Sequence, residues 1–73
     1  MNKTQIEPEN IPFMLAYLKT HLPDWTFQAG ANKQHIAAFP PFFGPETFNQ
    51  LTQYAVISSN MGSAGWIVDM ICV

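Results

Sequence analysis

The chain contains no arginine. Its positive charge rests on Lys3, Lys19 and Lys33, set against Glu7, Glu9, Asp24, Glu46 and Asp69, for a net charge of −2. Charged residues are 11% of the 73, whereas a soluble domain averages about 25%. Phosphate recognition needs several Lys or Arg side chains close together to displace counterions. Three scattered lysines do not form such a patch, so no nucleic acid is expected as a partner. Five acids are too few to imitate a phosphate array, and electrostatic steering should be weak.

Cysteine is nearly absent too. Cys72 stands alone, so no internal disulfide can form, and a fold without covalent staples suits a reducing cytoplasm. So close to the C-terminal end it reads as an apolar strand residue rather than a reactive thiol. Long apolar runs are missing: none approaches the ~20 residues that span a bilayer, and the opening MNKTQIEPEN lacks the apolar core of a signal peptide. These absences lead us to expect a soluble cytoplasmic protein with no membrane partner.

Reactive constellations are missing as well. There is no C-x-x-C, no H-x3-H and no acidic loop of calcium type, so no metal is expected. The glycines at 30, 44, 62 and 65 form no phosphate cradle, and no cofactor is expected. Glu7 and Glu9 are read as solvated acids rather than a catalytic pair. His21 and His35 lie outside motif distance of Cys72 or of an acidic pair. A small enzyme built on Cys72 or His35 is therefore the remotest reading, and the chain is expected not to be an enzyme.

What the chain has in quantity is oil. Apolar residues are 48% of it, ten of them aromatic. A domain this small buries only about 60% of its unfolded surface, so part of that apolar area should stay outside and meet a partner.

The patterning predicts one small α+β domain over 9–73, preceded by a flexible lead-in, 1–8, that ends at Pro8. A first helix runs from Glu9 or Asn10 to His21. Asn10 is the expected cap, Pro12 lies in the first turn, and Ile11, Met14, Leu15, Leu18 and Leu22 make one buried face. Pro23 stops it. Residues 25–29 alternate as a half-buried strand, Gly30 opens a turn, and 35–39 close a hairpin. Pro45 opens a second helix at its first position, with Phe48, Leu51, Thr52, Ala55 and Val56 on one face and an end anywhere from Ala55 to Ser59. After a loop over 60–65, Trp66 to Val73 is the clearest strand. Trp66, Val68, Met70 and Cys72 point one way, and Ile67, Asp69, Ile71 and Val73 the other. The expected order is helix, strand, strand, helix, strand, with a three-stranded, mainly antiparallel sheet packed with two helices.

Four features could meet a partner. Pro41, Phe42 and Phe43 present aromatic anchors on a proline-stiffened loop, or fold back as a lid over the core. The terminal strand could add to another sheet, or be core. On the first helix, Phe13, Tyr17 and His21 form a side row, read as packing or as a docking surface. Ser58, Ser59 and Asn60, followed by Met61, offer adaptable polar contacts around a flexible thioether, or simply connect a helix to a strand.

The stretch Gln53-Tyr54-Ala55, then Ser58, then Met61 with Ser63, then Trp66 and an apolar strand, resembles the C-terminal end of small phage-encoded anti-CRISPR inhibitors of type II-C. These occupy the HNH nuclease domain of a Cas nuclease. The likeness covers about a fifth of the chain, needs one inserted residue before Trp66, and does not extend to the first two-thirds. The cysteines and most of the charges associated with that inhibitor are also missing here. The resemblance implies an inhibitor that covers the working surface of a host defence nuclease, with 58–63 near the contact and a Cas nuclease component as partner. The residues alone lead to a non-enzymatic protein-binding domain acting by steric occlusion. The alternative is a structural subunit or obligate homo-oligomer, a homodimer in its simplest form, of a phage or other assembly.

Overall fold

In a computed structural model, which describes residues 2–73, the chain is an α+β domain of two helices on a five-stranded antiparallel sheet. The expected α+β class holds; the expected three strands are too few. Strand β1 is Lys3–Gln5, followed by a 3-10 turn, Pro8–Asn10, and helix α1, Ile11–His21. A hairpin follows, β2 (Thr26–Ala29) with β3 (Ile36–Phe39). Helix α2 is Pro45–Thr52, and β4 (Ala55–Asn60) and β5 (Trp66–Cys72) close the chain.

Both additional strands have physical causes. The short polar β1 carries no apolar alternation to announce it; it pairs with β5, Thr4 opposite Ile71, and brings Ile6 into the core at 1% exposure. The segment expected as a lead-in therefore contains a strand, while Met1 lies outside the described residues. Strand β4 occupies residues that the helical face of α2 was expected to include. Helix α2 ends at Thr52, Tyr54 N–H closes a turn onto the Leu51 carbonyl at 3.0 Å, and the β-branched pair Val56 and Ile57 then favours extended backbone over another helical turn.

The start of α1 also differs from expectation. Asn10 makes no side-chain capping bond; the helix is entered from the 3-10 turn, whose Asn10 N–H reaches the Glu7 carbonyl at 2.9 Å. Its inner face is as the periodicity implies: Ile11, Met14, Leu18 and Leu22 are buried. At α2 the first turn is held by Thr47, which is fully buried. Its hydroxyl accepts from Gly44 N–H at 3.0 Å and donates to the Gly44 carbonyl at 2.7 Å, so a buried polar group is left with no unmet bond.

Strand β5 is the axis of the sheet. Its first half pairs with β3, Ala38 opposite Trp66 and Ile36 opposite Val68, and its second half with β1. Strand β4 runs along the opposite side of β5, so β3 and β1 share one flank end to end and β4 forms an edge. Two bulges break the β4–β5 register. Asp69 is the extra residue on β5, between the pairs Ile57 with Val68 and Val56 with Met70. Ser58 is the extra residue on β4, between the pairs Ile57 with Val68 and Ser59 with Ile67. A bulge shifts the side-chain alternation by one. Inward residues of β5 are therefore Trp66, Val68 and Ile71, the last at 0% exposure, while Met70 is left half-buried. Strict alternation had put Ile71 on the opposite face from Trp66. The core joins these residues to Ile36, Ala38, Ala55 and Trp25 and to the inner faces of both helices.

Candidate functional site

The loop between β3 and α2 is where apolar surface reaches water. Pro40, Pro41 and Pro45 restrict its backbone, and its two adjacent phenylalanines turn to different sides. Phe42 is 57% exposed and borders a cleft of about 360 Å³ between the end of α1 and α2, shared with His21, Trp25, Gln50 and Tyr54. Phe43, 40% exposed, stacks on Trp66 with ring centres 4.7 Å apart and planes 22° apart. Phe48, on the outer side of α2 and 42% exposed, meets the same indole edge-on at 5.8 Å and 61°.

Trp66 itself is buried, so the two phenylalanines flank a fixed floor. With Gly44, Pro45 and Asn60 they line an open apolar groove of about 500 Å³. The floor is anchored behind: Trp66 packs on Trp25 at 5.9 Å, and Trp25 stacks on Phe27 at 5.9 Å. Such aromatic contacts contribute about 0.5–1.5 kcal/mol each beyond burial. The groove ends at Asn60, where β4 stops. Ser58, Ser59 and Asn60 are all exposed there, and the Ser58 hydroxyl donates to the Ile67 carbonyl at 3.2 Å. Met61, half-buried, follows directly. The geometry thus brings Phe43 and Asn60 to one groove, sets Ser58 and Ser59 on the adjoining edge strand, and leaves exposed Pro41 and Phe42 beside the separate cleft.

Tyr17 lies elsewhere. Half-buried on α1, it stands in a row with Phe13 at 6.3 Å and His21 at 4.6 Å, and His21 in turn stacks on Tyr54 at 4.6 Å. The Tyr17 hydroxyl donates to the Cys72 carbonyl, tying α1 to the end of β5. Phe13, 63% exposed, leads the row outward.

Sequence reasoning missed Phe48 and Trp66 as site residues. Phe48 was assigned to a buried helical face, which requires a longer helix than the eight residues of α2; Trp66 read as ordinary core. The available signal was the pair Phe43 and Phe48 bracketing Gly44-Pro45, a turn that sets two rings on either side of a helix start.

His21, Asp24 and Tyr54 line the cleft beside Phe42 together, whereas His35 and Cys72 are not among its lining residues. Among the described residues no three His, Cys, Asp or Glu side chains meet. The His21 ring stacks on Tyr54 and meets Tyr17 edge-on, the His35 ring lies over Gly30, and Cys72 is buried in the last strand. No helix among these residues is long and apolar enough to cross a membrane. Compared with protein-family models, curated proteins and solved structures, the chain matches none.

Proposed function

We propose that this chain is a non-enzymatic protein-binding domain that acts by steric occlusion, docking through the groove of Phe43, Phe48 and Trp66 and the adjoining end of β4. One observation carries the reading: two phenylalanine rings, each about two-fifths exposed, are held against a buried indole. Rings fixed in this way lose little side-chain entropy on docking, and desolvating them is favourable. The groove has no charged lining residue, so its partner presents an apolar protrusion rather than a charged one. Asn60, paired with Trp66 at the end of β4, supplies a polar edge to such a centre, the arrangement typical of protein interfaces.

The most specific form of this reading is an anti-CRISPR-type inhibitor of a host defence nuclease. It rests on the resemblance over 53–66, a stretch that contributes Asn60 and Trp66 to the groove. Titration calorimetry with the purified HNH domain of a type II-C Cas nuclease tests it: a complex is expected, and F43A and F48A should each weaken it by roughly 30-fold, about 2 kcal/mol, without lowering the melting temperature by much. Absence of a complex removes the Cas nuclease as target. The broader reading is tested in cells with a photo-crosslinking residue at position 48 and, as control, at Gln28. Protein adducts at 48 alone support the groove; adducts at neither position, or equally at both, remove it.

A further inference from the structure

Both helices end at the cleft beside Phe42. His21 is the last residue of α1 and Gln53 is the C-cap of α2, and both line it. A helix C-terminus carries roughly half a negative elementary charge on its unpaired carbonyls, felt within the last turn. Two such ends meet the carboxylate of Asp24, which is the only Asp, Glu, Lys or Arg in the lining. Lys19 lies in the last turn of α1 but does not line the cleft, and the chain has no arginine to offer. The cleft is therefore electronegative, and no lining side chain supplies the opposite charge. Its other walls are flat rings. Phe42 is 57% exposed, and Tyr54 is held in place by the His21 ring at 4.6 Å, planes 17° apart. The exposed side chains of Gln50 and Gln53 add neutral amide oxygens as acceptors.

We propose that this cleft receives the guanidinium group of an arginine on a partner protein. A guanidinium is planar and always charged, donates in a fork that matches a carboxylate, and stacks on aromatic faces. An ammonium is a compact point charge that uses the carboxylate but not the flat walls. A metal ion finds no cluster of ligands, since no three His, Cys, Asp or Glu meet among the described residues. A neutral sugar gains nothing from the two helix ends and Asp24. A second copy of this chain cannot be the partner, because it has no arginine. The volume of about 360 Å³ exceeds a bare guanidinium and admits the whole side chain with its flanking backbone, which selects a protein-borne arginine over a free guanidine. No residue lines both this cleft and the aromatic groove, so the two sites stand or fall separately.

A nuclear magnetic resonance titration of the isotope-labelled full chain with N-acetyl-arginine-methylamide tests the proposal. Saturable shifts are expected at Asp24, Gln50 and Gln53, at millimolar affinity, because a single exposed ion pair with one stacked cation is weak. Asp24→Asn should weaken binding about 5-fold. If that variant disturbs the spectrum throughout, Phe42→Leu replaces it, with a loss of about 3-fold from the missing ring face. The lysine counterpart of the ligand should bind more weakly, and the uncharged citrulline counterpart should not bind measurably. Agmatine, a guanidine without peptide backbone, should bind more weakly than the capped arginine. Phe48→Ala, in the groove, should change nothing. The proposal is overturned by an absence of saturable shifts, by equal binding of the citrulline compound, by indifference to both cleft variants, or by a loss of binding in Phe48→Ala. Equal shifts from maltose overturn it in favour of a sugar site, and tighter binding of agmatine overturns the protein source.

Discussion

Gly65 has little freedom to change. It is buried where β5 begins, and a Cβ there would overlap the carbonyl oxygen of Ala38 on β3. That approach sets β3 against β5 just before Trp66, and so fixes the floor of the aromatic groove. Gly65→Ala should cost about 2 kcal/mol or more, read as a lower urea midpoint, because backbone rather than a mobile side chain must give way. A midpoint equal to wild type would mean that β3 and β5 separate freely at this point. Gly62 has a different need: its φ of 71° lies in the left-handed region, and open space surrounds its Cβ position, so a substitution there meets backbone strain alone.

Strands and helices were unequally visible in the amino-acid order. The inner face of α1 follows from Ile11, Met14, Leu18 and Leu22 at helical spacing, and the β2–β3 hairpin from alternation around Gly30. Lys3, Thr4 and Gln5 could not announce β1, because its pairing comes from β5, nearly seventy residues away in the chain. Val56 and Ile57 suit a weak helical turn or a strand equally well until the end of α2 is known, and that same ambiguity hid Phe48. The exposed loop rings were readable because three prolines leave few other conformations; Trp66 as their floor was not, since stacking is a tertiary fact. The bulges at Ser58 and Asp69 leave no mark in composition, yet they decide that Ile71 faces the core and Met70 does not.

The pairing pattern also ranks the strands by persistence. Strand β5 has neighbours on both flanks, whereas β2 and β4 are edges. Backbone amides open through local or global unfolding, and those in central strands track the global event. In hydrogen exchange, the amides of Val68 and Ile71 should be among the slowest in the chain, and those of Ser59 and Asn60 should exchange orders of magnitude faster. Equal protection across β4 and β5 would contradict an exposed β4 edge, or would reveal a strand added to it by another chain.

For the whole molecule, the arrangement separates three surfaces. The aromatic groove opens on the helical side at the Trp66 end of β5, the apolar sheet face lies on the reverse, and the polar cleft beside Phe42 sits between the helices. The groove and the far end of β5 are about 20 Å apart, six residues at strand rise. At that far end Asn2 and Val73 exchange two backbone hydrogen bonds, of 2.9 and 2.8 Å. The described chain therefore nearly closes into a ring. A short linker from Val73 back to Asn2, with new ends cut at the Gly62 turn, should yield a circular permutant whose melting temperature lies within about 10 °C of the parent; a larger fall would show that the 61–65 turn must stay intact. Anything fused at either side of that seam, whether a dye, a tag or a surface tether, would emerge from one spot and leave the Phe43 and Phe48 rings unobstructed.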